Sequence, residues 1–167
     1  VLFRSLYASL PPEIQLLAFQ PKPAGCKRKI VIATNIAETS VTLDGIRYVV
    51  DTGKCKSRNF SGATGMESLV VADISQAQAT QRAGRAGRTS SGICFRLYPQ
   101  ILYQQWDPTT TPEILRVNIA HVVLQLKAMG IQDPRTFEYL TPPSMASFVQ
   151  ALEQLHALGA INDKLEL

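Results

Sequence analysis

"QRAGRAGR", Gln81–Arg88, packs three arginines and two glycines into eight positions. Glycine weakens a helix by about 1 kcal/mol relative to alanine, so its repeated use beside fixed positive charge needs a reason. On an ideal α-helix Gln81, Arg85 and Arg88 share a face within about 60°. Gly84 and Gly87 fall on the adjoining stripe. They strip side chains from the flank of the charged face and let a ligand or another backbone approach. Arg82 points about 100° away from that face, towards neighbouring loops. Just upstream, Ser75 and Gln78 fit the S-x-x-Q capping box. The predicted helix runs over Ser75–Arg85.

Two guanidinium groups one turn apart, each planar, always charged and forked, suit a polyphosphate. In that role they follow charge moving from a γ- to a β-phosphate, and an arginine finger of this kind is worth roughly 10³–10⁵ in rate. Gln81, on the same face, is placed to hold a water for in-line attack. The same arginines also suit a nucleic-acid backbone or a solvated helix end. Geometry alone leaves these readings open.

Around this helix the pattern alternates. "KRKIVIATNIAETS" predicts a strand at Ile30–Ala33, "GIRYVVD" one at Ile46–Val50, "GMESLVVAD" one at Glu67–Val71 and "GICFRLY" one at Ile93–Leu97. Unbroken apolar runs suit strands covered on both faces. With helices at Pro12–Phe19 and Ser75–Arg85, the fold class is α/β, an open and mostly parallel sheet. One piece breaks the alternation. Two extended arms around "SGATG" predict a β-hairpin, Lys54–Phe60 paired with Met66–Val71. Its first arm carries Lys54, Lys56 and Arg58, which directs it towards nucleic acid.

The character changes after "LYQQWDPTTTP", read as a linker. A helix follows with Thr111 as N-cap, Pro112 at its first position and Gly130 past its end. Leu115, Ile119, Val122, Leu126 and Met129 would form its apolar face. A second helix at Ser144–Leu158 would bury Phe148, Leu152 and Leu155, with Gly159 closing it. "AINDKLEL" would open a strand. Two helices and a strand describe a small, incomplete winged-helix module.

Composition narrows the function classes. The chain has 167 residues, 46% of them apolar, with no run long enough to span a bilayer and no signal-peptide pattern. It opens mid-pattern without Met, which predicts a piece of something longer. Cys26, Cys55 and Cys94 are too scattered for a disulfide framework or a zinc knuckle. His121 and His156 sit in helical patterns as packing or surface residues. Residues 1–111 hold 13 basic and 7 acidic side chains, whereas 112–167 hold 4 basic and 6 acidic. A basic first part suits phosphate-bearing partners.

The loop after Ala33 lies where open α/β sheets bind ligands, beyond a strand's carboxyl end. Thr34, Asn35, Thr39 and Ser40 offer short hydroxyl and amide groups to phosphate and sugar oxygens. The same residue types also serve as caps and turns. Phe19, ending a helix, reads by itself as a core aromatic.

The residues quoted so far carry a resemblance. "QRAGRAGR" resembles motif VI of superfamily 2 helicases, and "TNIAETSVTLDG" (Thr34–Gly45) resembles motif V of the DEAH-box RNA helicases. "SLYASLPPEIQ", "TGMESLVV", "ISQAQAT" and "PEILRVNIAHVVLQLKAMGI" continue that family's pattern in order. The resemblance implies a RecA-like second domain at residues 1–111 with a projecting hairpin, then a winged helix at 112–167. It implies that Gln81 orients the attacking water and that Arg85 and Arg88 contact the β- and γ-phosphates. It implies Phe19 stacked on the adenine, Ser40 in the loop that senses the nucleotide, Asp44 at the ribose, and Thr34 at the RNA backbone. The hairpin resembles the family's RNA-guiding hairpin, although "NFSGATG" departs from the Tyr, Asn and Pro more usual before the shared Thr-Gly.

The cofactor implied is ATP, or another NTP, with Mg2+. The sequence contains no G-x-x-x-x-G-K-[ST] loop and no "DEAH". The expected nucleotide site is therefore shared with a first RecA-like domain, and these residues alone are expected to hydrolyse nothing; no metal ligands are assigned within them. The implied partners are single-stranded RNA, or a duplex with an overhang, and a glycine-patch type of activator protein. No membrane is implied, and nucleus or nucleolus is the family's usual address. Two rivals stand beside this reading: a non-catalytic RNA- or protein-binding module from a truncated or degenerate helicase, and a superfamily 2 DNA helicase.

Overall fold

Strands and helices alternate through the first two thirds of the chain in the computed structural model, which describes residues 1–61 and 66–167. The order is β1 (Leu2–Leu6), α1 (Pro12–Phe19), β2 (Lys29–Ala33), α2 (Ile36–Thr39), β3 (Tyr48–Asp51), β4 (Lys54–Ser61), β5 (Met66–Asp73), α3 (Gln76–Ala83), β6 (Ile93–Arg96), α4 (Gln100–Gln105), α5 (Ala120–Ala128) and α6 (Met145–Ala157). The chain divides into two compact units. One is Val1–Cys55 with Val71–Thr110, and the other is Lys56–Val70 with Thr111–Leu167.

In the first unit the pairings are parallel. β1 runs beside β2 with Leu2 opposite Lys29, and β3 beside β6 with Tyr48 opposite Ile93. Leu6 and Ala18 are fully buried. The double-sided cover expected of unbroken apolar strands is met on one face only. Tyr48, Val50, Ile93 and Phe95 share a face through their register, and each is more than half exposed. A second cluster forms around Ile74, Ala79 and Trp106, with Tyr98, Leu102 and Tyr103 packed against it. Gly53 permits that packing: a Cβ there would stand 2.7 Å from the rings of both Trp106 and Tyr98.

Helix α3 begins as the sequence predicts. Gln78 N donates to Ser75 Oγ at 3.2 Å and Ser75 N donates to Gln78 Oε1 at 3.0 Å, so both halves of the capping box form. It ends earlier than predicted, at Ala83, and tightens into a 3-10 turn over Gly84–Gly87. Two glycines in four residues lower the helix propensity enough for the tighter winding to take over. The linker expected at 102–112 is also revised. Gln76 Nε2 donates to the Tyr103 and Trp106 carbonyls, Gln76 N to Asp107 O, and the Ser75 and Thr110 hydroxyls meet at 2.9 Å. This stretch is packed onto the start of α3.

In the second unit, β4 and β5 hydrogen-bond to each other. Their connection, residues 62–65, and the "SGATG" tip predicted there lie outside the described residues. Phe60 N donates to Arg116 O at 2.9 Å, and Arg116 Nη1 to Ser57 Oγ at 2.8 Å. The single helix predicted from Thr111 is two pieces: a 3-10 turn at Glu113–Leu115, then α5. Arg116 leaves the helical path at φ −119°, and Asn118 Oδ1 accepts from Ala120 N at 2.7 Å. That bond gives α5 its own start. The inward face shifts with it. Ile119, Ala120, Val123 and Leu126 are buried, while Leu115 and Met129 are exposed. Ser144 caps α6 through Ser147 N, and Phe148, Ala151 and Leu155 meet α5 in one core. Gly159, at φ 68°, closes α6. The predicted strand "AINDKLEL" is a turn, because Asn162 Oδ1 accepts from both Lys164 N and Glu166 N and bends the chain.

Candidate functional site

Arg82 organises the first unit. Its Nε donates to Glu38 Oε2 at 3.0 Å, and its Nη1 donates to Asp51 Oδ1 at 2.9 Å and to the Lys54 carbonyl at 3.1 Å. One guanidinium thus ties α3 to α2, the end of β3 and the start of β4, in keeping with its expected bonding to neighbouring segments. The Asp51 side chain is wholly buried. Its Oδ1 also accepts from Gly53 N, and its Oδ2 from the Tyr98 hydroxyl at 2.8 Å. Burial works against the Arg82 charge, but hydrogen bonds to Asp51 and Glu38 outweigh it and raise the Arg82 pKa. Burial, followed by the bond to Asp51, also pushes the Tyr98 phenol well above its ordinary range.

The remaining motif arginines reach a different place. Arg85 Nη1 donates to the Val41 carbonyl at 3.3 Å, and Arg88 Nη1 donates to the Thr42 hydroxyl. Both therefore rest on adjacent residues of the loop after α2, the loop that continues to Asp44. Arg85 Nε is buried with no hydrogen-bond partner among the described residues. Gln81 is exposed on the last turn of α3. The shared face drawn on an ideal helix does not extend past Ala83; the loop at Val41–Thr42 is what brings Arg85 and Arg88 together. Among the described residues a Cβ on Gly84 or Gly87 would meet nothing within 4 Å, so these glycines border open space there.

Thr34, Asn35, Thr39, Ser40 and Asp44 are all exposed. Thr34 N continues the β1–β2 ladder by donating to Leu6 O, and Ser40 N closes α2 on Ile36 O. Asn35 stands at the N-cap position of α2, yet its side chain makes no capping bond. Lys54, Lys56 and Arg58 alternate along β4 and are exposed. Lys54 is engaged with Asp73 at 2.5 Å. Phe19 closes α1 with its side chain partly exposed. Lys29 Nζ donates to the Ala18 carbonyl at 2.5 Å and to the Gln20 carbonyl at 2.6 Å. Burial, then the neighbouring Arg4 charge, lower the Lys29 pKa.

Sequence reasoning missed Glu38, Asp51 and Gly92. A buried acid is almost always paired, and Glu38 is the one acid in "TNIAETS"; that was the available signal for it. Gly92 holds no local signal. A Cβ there would lie 2.0 Å from Ala86 O and 2.5 Å from Arg47 O, so the start of β6 passes directly against the 3-10 turn. Among the described residues no group of three or more His, Cys, Asp or Glu side chains is arranged to hold a metal ion. No helix among them is long and apolar enough to cross a membrane.

Comparisons with known proteins converge on one family. The helicase conserved C-terminal domain matches residues 1–90. The chain is 52% identical over 160 residues to the Schizosaccharomyces pombe pre-mRNA-splicing factor ATP-dependent RNA helicase prp22, covering 95% of this chain and 14% of that protein. Two solved structures are similar at 37% identity over 99% of this chain. They are the Escherichia coli DEAH/RHA helicase HrpB, at a TM-score of 0.90, and the Escherichia coli DExH-box NTPase HrpB, at 0.84. The chain spans 21% and 20% of their respective lengths. At that identity and coverage, the α/β arrangement with parallel pairs is the RecA-like C-terminal helicase fold.

Proposed function

This chain belongs to the DEAH-box RNA helicase family, and from that premise we propose that it forms one wall of an ATP-driven RNA translocase. It would work within a longer polypeptide as a RecA-like domain over 1–111 and a winged-helix domain over 112–167. A preceding RecA-like domain would bring the phosphate loop, and Mg2+ would arrive with the triphosphate. By themselves these residues would bind nucleotide poorly and leave it intact.

In this reading Arg85 and Arg88 neutralise the β- and γ-phosphates, and Gln81 orients the attacking water. Phe19 stacks on the base, Asp44 accepts from the ribose hydroxyls, and Ser40 lies in the nucleotide-sensing loop. Thr34, Asn35 and Thr39, with Lys54, Lys56 and Arg58, follow the RNA backbone. The donor set fits a triphosphate: the buried Arg85 Nε lacks a partner, and open space lies beside Gly84 and Gly87. One observation carries the reading. Arg85 and Arg88 both bond to Val41–Thr42, between Ser40 and Asp44, which supports the reading that these arginines and this loop serve one nucleotide. Single-stranded RNA, or a duplex with an overhang, is the substrate. A glycine-patch protein is the proposed activator, and the nucleus the proposed compartment, in keeping with the splicing role in the prp22 name.

The test is Arg85→Ala or Arg88→Ala in the full-length protein. The RNA-stimulated kcat should fall by roughly 10³-fold or more, with RNA affinity little changed. A loss of only a few-fold would remove the finger assignment.

A further inference from the structure

We propose that Lys29 is a positioning residue that fixes the Phe19 ring and so sets how firmly the nucleotide base is held. The inference rests on the reading of Phe19 as the base-stacking aromatic and deepens it.

The argument begins at the end of α1. The last carbonyls of a helix have no partner within the helix, and α1 carries no basic residue in its final turn. Ala18 is fully buried, Phe19 is the last helical residue, and Gln20 turns extended at φ −62°, ψ 144°. Phe19 thus stands between a packed helix and an extended segment, and its own turn offers no basic side chain to the last carbonyls. The restraint comes from ten residues downstream of Phe19 in sequence. Lys29, the first residue of β2, reaches back and donates to the Ala18 carbonyl at 2.5 Å and the Gln20 carbonyl at 2.6 Å.

These are the carbonyls on either side of Phe19. One ammonium, with three donors, grips the residue before the ring and the residue after it. Charge-assisted bonds are the short, strong class, and Lys29 is itself anchored in the parallel ladder opposite Leu2. The ring is therefore referenced to the sheet, although its own side chain is 39% exposed. An ordinary C-terminal cap would steady α1 for any ligand. A ring-positioning contact acts only when a base is present to stack, and that difference separates the two roles.

Steady-state hydrolysis by the full-length protein, at saturating RNA, tests this. Phe19→Ala should raise KM for ATP by roughly tenfold, the scale of one base–aromatic stack. Lys29→Met, which keeps the stem and removes the donor, should raise it about three- to tenfold with kcat within about twofold, the pattern of lost uniform binding. The double variant should be no worse than Phe19→Ala, and Lys29→Arg should restore KM. With ribose 5-triphosphate, which has no base, Lys29→Met and the native protein should share one KM. The proposal is overturned if Lys29→Met leaves KM for ATP unchanged while Phe19→Ala raises it. An equal rise for ATP and the abasic triphosphate also overturns it, because Lys29 is then a helix cap and nothing more. A silent Phe19→Ala refutes the stacking reading itself, and the Lys29 role with it, whatever Lys29→Met does.

Discussion

Arg82 Nη1 meets Asp51 Oδ1 at 2.9 Å inside the protein, where the Asp51 side chain has no solvent exposure at all. Both members have further partners: Glu38 accepts from Arg82 Nε, and the Tyr98 hydroxyl and Gly53 N donate to the Asp51 carboxylate. A buried pair of this kind is a weak source of net stability but is costly to break by halves. Asp51→Ala should therefore destabilise the protein by about 3–5 kcal/mol. Asp51→Asn keeps its shape and some of its bonds and should cost less. Calorimetry on both variants measures the difference; equal, small losses would contradict it.

Gly92 is the second point of fragility. Any side chain there strikes the backbone carbonyl of Ala86, and backbone cannot rotate aside as a side chain can. Gly92→Ala should cost about 1–3 kcal/mol or more by overpacking. It should also displace the turn that carries Arg85, so, on the proposed role of Arg85, ATP turnover by the full-length protein should fall with stability. Thermal denaturation and kcat, measured on one preparation, check both halves.

Asp133 gives a pH signature. Its carboxyl accepts from the Arg135 side chain and backbone N–H, and these bonds hold its pKa down to about 2. A folded-state pKa below the unfolded value near 3.9 means that the contribution is present above about pH 4 and disappears as pH falls towards 2. Because the pair is largely exposed, salt should screen it, and the effect should weaken as ionic strength rises. An NMR titration should place the Asp133 midpoint near 2, and Arg135→Ala should return it to the ordinary carboxylate range.

The strand basic residues divide by their pairing. Lys56 and Arg58 are exposed, whereas Lys54 is held by Asp73. If β4 follows an RNA strand, Lys56→Ala and Arg58→Ala should each lower the salt dependence of RNA binding, by about 0.7 in the log–log slope per phosphate contact. Lys54→Ala should change it less. Filter binding or anisotropy across a salt series on the full-length protein reads all three.

What could be read in advance was local. Ser75 and Gln78 announced their cap because both partners lie within one turn, and Pro12–Phe19 matched its observed limits. Arg82, set about 100° from Gln81 by helical geometry, bonds to its neighbours within the fold as expected. Its partners were not legible, because Glu38 and Asp51 are 44 and 31 residues distant and only the folded sheet brings them close. The break between Arg116 and Ala120 was hidden by an apolar period that ran through it, until the Asn118 side chain took the Ala120 N–H. Gly92 was invisible because its constraint, the Ala86 and Arg47 carbonyls, is assembled only by the fold.

Val41 and Thr42 each accept from one Nη1 donor, of Arg85 and of Arg88 respectively. A phosphate that took over those Nη1 donors would compete with an internal acceptor, and the loop it displaced would be left short of a partner. Substrate capture and loop release would then be a single exchange of acceptors, so weakening the Thr42 acceptor should loosen the loop before any nucleotide arrives.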